Sequence, residues 1–167
     1  MEVHLNDFDA VVLALGDALR AQGLRLATAE SCTGGMIAAA CTAIAGSSDW
    51  FERGFVTYSN DAKTEMLGVP AALIATHGAV SAEVARAMAE GALAHSHAGL
   101  AVAVTGVAGP GGGSKDKPVG TVWLAFARTG LVTQAELLQL QGDRGAVRLQ
   151  TVAHALRRLQ AETVLPR

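Results

Sequence analysis

Apolar positions along the 167-residue chain change their period several times, and each change marks an element. Phe8, Val11, Val12, Leu15, Ala18 and Leu19 recur at helical spacing behind Asn6 or Asp7 as a cap, and Gly23 ends the run. Leu24 to Ala29 alternates like a first strand, and residues 33–45 form an alanine-rich stretch long enough for a buried helix. Gly54 to Ser59 predicts a second strand. Short helices follow over 60–67 and 70–76, the latter opened by Pro70. Ser81 is placed as the N-cap of a helix running to about His97, with Glu83 favourable in its first turn. Leu100 to Thr105 is a continuous apolar run, as in a central buried strand. Val119 to Ala127 and Leu131 to Leu140, joined through Thr129-Gly130, predict a hairpin. The last helix starts near Asp143 and turns Leu149, Val152, Leu156 and Leu159 inward.

Helices separate the first three strands, and the last three strands come in close succession. That order predicts an α/β fold: a three-layer α/β/α sandwich on a mixed, mostly parallel five-stranded sheet, with residues 1–167 as a single domain. Half the residues are hydrophobic but only 4% are aromatic, while alanine numbers 33 and glycine 19, so the core is expected to use small and aliphatic side chains. A net charge of −2 gives no basic field for nucleic acid, and the apolar content excludes a disordered chain. With no basic leader and no long apolar run, the chain is expected to be soluble and cytoplasmic. Cys32 and Cys41, nine apart within one predicted helix, are expected to be free thiols. His95 and His97 form an H-x-H pair at a helix end that reads as surface histidines rather than a metal site.

Four segments carry candidate chemistry. Thr28 to Gly35 (Thr-Ala-Glu-Ser-Cys-Thr-Gly-Gly) falls where the first strand gives way to a helix, where N–H groups favour an anion or a developing oxyanion, and Ser31 sits at that point. The plain alternative is an N-cap followed by glycines for tight packing, and the G-x-S-x-G elbow is absent. In Tyr58 to Lys63, Lys63 could serve a serine nucleophile as base if burial lowers its pKa, since no histidine lies in the loops after the strands. Tyr58 could relay the proton or hold the leaving group; the alternative is an aromatic strand end and a solvated lysine. In Thr105 to Ser114 the phosphate-loop and dinucleotide patterns both fail. Ser114-Lys115-Asp116-Lys117 matches S-x-x-K only by coincidence, and Gly111 to Lys117 reads as a mobile hairpin loop. Thr105 and Gly106, at the strand tip, are better candidates. In Gly142 to Arg148, Arg144 could bind a phosphate beside a helix N-terminus or simply belong to an exposed helix start.

Together these segments, with Gly78-Ala79-Val80-Ser81 and Lys117 to Val122, resemble the C-terminal domain family of the competence-damage-inducible protein CinA, whose stand-alone form is nicotinamide mononucleotide deamidase. The matching text keeps the family's order and covers nearly the whole chain. The resemblance implies hydrolysis of the carboxamide of nicotinamide mononucleotide to nicotinate mononucleotide and ammonia. It also implies the α/β/α fold, no metal and a homodimer; no cofactor is expected, and the charge and the lack of a long apolar run argue against nucleic-acid and membrane partners. Carried over by residue, Ser31 is the nucleophile and Lys63 the base, with Tyr58 assisting. In the mechanism this implies, backbone N–H groups near Thr33-Gly34-Gly35 or at Thr105-Gly106 hold the oxyanion, and Gly109 and Arg144 help to bind substrate. Full-length CinA proteins add an N-terminal nucleotide-pyrophosphatase-like domain that this chain lacks, so only the deamidase activity is expected. Two alternatives stand beside this: Cys32 as the nucleophile, and a non-catalytic nucleotide-binding or regulatory module of the same fold.

Overall fold

Alternate residues of the central strands differ in size rather than in polarity, and this sets the layers. The computed structural model describes residues 4–164. Its elements are α1 (Asp9–Gln22), β1 (Leu26–Glu30), α2 (Met36–Thr42), β2 (Phe51–Val56), α3 (Asn60–Leu67), α4 (Ala71–His77), α5 (Ala82–Ala94), β3 (Leu100–Gly106), β4 (Thr121–Arg128), β5 (Gln134–Gln139) and α6 (Arg144–Thr163). The five strands form one sheet in the order β2-β1-β3-β4-β5. The first three are parallel, β4 is antiparallel to β3, and β5 is antiparallel to β4, so four strands point one way.

Leu26, Leu100, Val102, Val104, Val122, Leu124 and Phe126 face α1, α2 and α6. The intervening Ala27, Ala29, Ala101, Ala103, Ala125 and Ala127 face α5. Branched and aromatic side chains fill one interlayer space, and alanines let α5 lie close on the other. At Gly91 of α5 an added Cβ would clash with the Leu67 carbonyl oxygen, so the end of α3 packs directly on the backbone of α5. This three-layer arrangement is the architecture expected from the element order. Among the described residues no helix is long and apolar enough to cross a membrane.

Several boundaries differ from the sequence pattern, each for a local reason. The alanine-rich helix is shorter than 33–45: α2 starts at Met36, so Cys32 lies before the helix rather than in it. Both cysteines are free and buried. Neither Asn6 nor Asp7 caps α1 directly; Asp7 accepts the His4 N–H at 2.8 Å in a separate 3-10 turn before the helix. β2 ends at Val56, three residues short of Ser59, because Ser59 turns to cap α3, its Oγ accepting the Ala62 N–H at 3.0 Å. α5 stops at Ala94, where the His95 ring bonds back to the Gly91 carbonyl at 2.8 Å. His97 turns instead to Glu52, its N–H 3.1 Å from the carboxylate. On α6 the buried stripe is Val147, Val152, Ala155, Leu156 and Leu159, with Leu149 only half-buried.

The connections matter most for the site. After β1 the chain crosses to the α2 face, and after neighbouring β2 it crosses to the α3 face. Adjacent parallel strands whose connections leave on opposite faces open a crevice at their carboxyl ends.

Gly91→Ala is expected to force α3 from α5 and to cost about 1–3 kcal/mol by overpacking. Urea unfolding should show the midpoint falling at unchanged m value; an unmoved midpoint would refute the close contact.

Candidate active site

Ser31 is the first residue past β1, and it is 8% exposed. Its N–H still donates to the Val104 carbonyl at 3.0 Å, so the sheet fixes its backbone. The Glu30 side chain before it is buried and turns under α2. Its carboxylate accepts from the Thr33 hydroxyl at 2.7 Å and from the Ile37 and Ala38 N–H groups at 2.8 and 3.0 Å. Those two N–H groups are the donors that a helix start would otherwise offer to an anion. The protein's own carboxylate therefore occupies the first N–H groups of α2. From the other side, Arg148 donates to the Cys32 and Thr33 carbonyls at 3.1 and 3.2 Å.

Lys63 comes from α3. A helical side chain leans toward the N-terminus of its helix, and here that brings the amine back over the end of β2. Nζ donates to the Thr57 carbonyl at 3.0 Å, the Tyr58 carbonyl at 3.3 Å and Ser31 Oγ at 3.2 Å, with the Ser59 carbonyl at 3.5 Å. Lys63 is 1% exposed. Among the described residues no carboxylate lies within ion-pair distance of it. Burial, with no counter-charge, pulls its pKa below the ordinary lysine value, and charge on Cys32 acts weakly the other way. A neutral amine held on a serine hydroxyl is equipped to take the hydroxyl proton.

Tyr58 is 61% exposed, and its hydroxyl meets Arg144 at 3.0 Å rather than Lys63. It is the Tyr58 carbonyl, not the phenol, that contacts the amine. Arg144 also donates to the Gly109 carbonyl at 2.8 Å, which ties the start of α6 to the loop after β3. Thr105 gives its hydroxyl to the Ala79 carbonyl at 2.8 Å and so holds the turn before α5. Gly106 is small because of β4: a Cβ there would meet Val122 at 2.8 Å and the Thr121 carbonyl at 2.9 Å.

A cavity of about 210 Å³ lies in the crevice, lined among others by Ser31, Cys32, Tyr58, Asn60, Lys63, Thr105, Gly106 and Arg144. A second hollow of about 610 Å³ adjoins it, sharing Ala108 and Arg144. Thr33, Gly34, Gly35 and Gly109, expected near substrate, are not in the lining of the first cavity. The Thr33 hydroxyl bonds Glu30, and the Thr33 and Gly109 carbonyls accept from Arg148 and Arg144. Cys32 reaches the cavity but is 6% exposed, and burial pushes its thiol up to about 11. Cys41, deeper still, is pushed to about 12. The loop at 111–117 is anchored rather than loose at its end, where Lys117 Nζ donates to the His77 carbonyl at 2.9 Å.

The CinA C-terminal domain model matches residues 9–163. The chain belongs to the CinA C-terminal domain family. Within it, the chain is 56% identical over 147 residues to the nicotinamide-nucleotide amidohydrolase PncC of Escherichia coli (strain K12), covering 87% of this chain and 88% of that protein. It is 58% identical over 152 residues to the Pseudomonas putida protein of the same name, covering 91% and 94%. A CinA-like protein of Geobacter sp. (strain M21) is 61% identical over 143 residues, which is 86% of this chain but 34% of that protein. The crystal structure of the competence/damage inducible protein CihA from Agrobacterium tumefaciens superposes with a TM-score of 0.91 at 48% identity, over 96% of this chain and 98% of the other.

Glu30, Arg148 and Thr57 escaped the sequence reading. Glu30 left a signal, since it is the one charged residue in an otherwise fully buried strand. Arg148 left none, because its contacts lie 115 and 116 residues away along the chain.

With thiol pKa values this high, native protein at mildly alkaline pH should react with iodoacetamide about 100-fold more slowly than free cysteine. Both thiols should react normally once the chain is unfolded. Fast labelling of Cys32 in the native state would contradict its burial.

Proposed function

We propose that the protein hydrolyses the carboxamide of nicotinamide mononucleotide, giving nicotinate mononucleotide and ammonia, with Ser31 as nucleophile and Lys63 as its base. The observation that carries this is the buried 3.2 Å contact between Lys63 Nζ and Ser31 Oγ at the mouth of the β1–β2 crevice. The printed names of the Escherichia coli and Pseudomonas putida relatives support the substrate class.

In this scheme neutral Lys63 takes the Ser31 proton as Oγ adds to the carboxamide carbon. The carbonyl oxygen gathers charge beside the turn after Ser31. The Cys32 and Thr33 N–H groups there donate to no other residue among those described, which suits them to an oxyanion. Lys63 returns the proton to the departing nitrogen, and water releases the acid. Tyr58, with its hydroxyl on Arg144, acts as a wall of the substrate site rather than as a proton relay. Arg144 has guanidinium N–H groups beyond those that bond Gly109 and Tyr58, and these offer a partner to the substrate phosphate. The larger adjoining hollow gives the ribose phosphate room.

Ammonia release from nicotinamide mononucleotide by the purified protein is the direct test. Ser31→Ala should lower it to about a thousandth of wild type or less. Lys63→Met should cost about 100- to 10,000-fold. Cys32→Ala should keep most of the activity; its selective loss would move the nucleophile to the thiol. A folded protein with no turnover would favour a binding module.

The pH dependence follows from the direction of the Lys63 shift. The working form is the neutral amine, so kcat/KM should fall as pH falls through the lysine pKa. Because that pKa is depressed, the loss should set in below the ordinary lysine range. Lys63→Met should flatten this limb in whatever activity remains; an unchanged profile would remove Lys63 as the base.

A further inference from the structure

Arg148 stands one helical turn beyond Arg144 on the same face of α6. It does not line the cavity. Among the described residues no carboxylate lies within ion-pair distance of it. Its donors go to main-chain carbonyls instead, Nε to Cys32 at 3.1 Å and Nη2 to Thr33 at 3.2 Å. These are the two residues directly after Ser31.

The peptide between Cys32 and Thr33 is trans, so its C=O and N–H point to opposite sides. With the Cys32 carbonyl turned to Arg148, the Thr33 N–H is directed away from the guanidinium. The preceding peptide is set in the same manner: the Ser31 carbonyl accepts the Gly34 N–H at 2.9 Å, which turns the Cys32 N–H away from that bond. A cation on the carbonyl side of a peptide polarises it and strengthens its N–H as a donor. Glu30 completes the clamp by holding the Thr33 hydroxyl from below.

We propose that Arg148 is a positioning residue for amide hydrolysis, fixing and polarising the Cys32–Thr33 turn so that the N–H groups of that turn hold the oxyanion formed when Ser31 adds to the carboxamide. This rests on the deamidase function proposed above. In the step concerned, Ser31 Oγ bonds to the carboxamide carbon, the C=O π pair moves onto oxygen, and the Ser31 proton passes to neutral Lys63. When the adduct collapses, the C–N bond breaks and the nitrogen takes that proton to leave as ammonia. Arg148 touches no reacting atom and acts only through the turn.

The test compares wild type, Ser31→Ala, Arg148→Gln and Arg148→Lys in ammonia release from nicotinamide mononucleotide, with the melting temperature of each. Arg148→Gln should lose about 10- to 100-fold in kcat, somewhat less than deletion of an oxyanion donor. Its KM should move by less than about threefold, as expected for an interaction made only in the transition state. Millimolar guanidinium should restore part of the lost kcat. Arg148→Lys keeps the charge but lacks the planar fork that spans two carbonyls, and should fall between. A purely structural role would lower the melting temperature with no rescue of kcat by guanidinium, and would overturn the proposal. Wild-type kcat in both variants, or a loss confined to KM, would also overturn it. If Arg148→Gln does not fold, Arg148→Lys decides by the same criteria. Wild-type protein that releases no ammonia would overturn the deamidase function itself, and this inference with it.

Discussion

The site depends on one costly placement: a lysine amine buried at a strand tip with no carboxylate beside it among the described residues. Burying a charged ammonium costs several kcal/mol unless it is paired or neutralised. The chain offers Lys63 main-chain carbonyls from 57–59 and a serine hydroxyl, which hold the amine in place without supplying a counter-charge. Burial lowers the pKa of this amine, which has Ser31 as a neighbour. Much of the surrounding structure serves this placement. β2 stops at Val56, so the carbonyls of 57–59 can turn toward the amine, and Ser59 caps α3, from which Lys63 reaches back.

A second set of contacts governs the turn after Ser31. Glu30 occupies the start of α2 and Arg148 grips the carbonyls above it, so this turn is held by a carboxylate on one side and a guanidinium on the other. The anion-attracting end of α2 is neutralised internally by Glu30. Arg144 and Arg148, a helical turn apart on α6, divide the work: one faces the cavity and the other the backbone.

Much of the architecture was legible in the sequence because its signals are local. Gly23 closes α1 with left-handed backbone, Ser81 and Asp143 cap the helices they precede, and the apolar run at 100–105 is a strand buried on both faces. Boundaries failed where a long-range contact overruled local propensity. The alanine-rich stretch was expected to be helical from residue 33, yet Glu30 and Arg148 hold 31–35 as a turn and delay α2 to Met36. Ser31, Lys63, Tyr58, Thr105, Gly106 and Arg144 were all candidates by type and motif, and they meet around one cavity. Thr33, Gly34, Gly35 and Gly109 share those motifs but stand outside the lining of that cavity, which spacing alone could not reveal.

The sequence by itself determined the elements, their order and therefore the layers, since helix and strand periods, caps and turn glycines act over a few residues. It also supplied the serine and lysine that the chemistry requires. Only the tertiary structure decided that Lys63 is buried and lies against Ser31, because burial and desolvation belong to the packed whole rather than to any segment. The same holds for Tyr58, whose hydroxyl turned out to belong to Arg144, and for Arg148, whose partners are more than a hundred residues away. Hydrogen bonds between distant segments form only after the sheet has brought their ends together, and no local pattern encodes them.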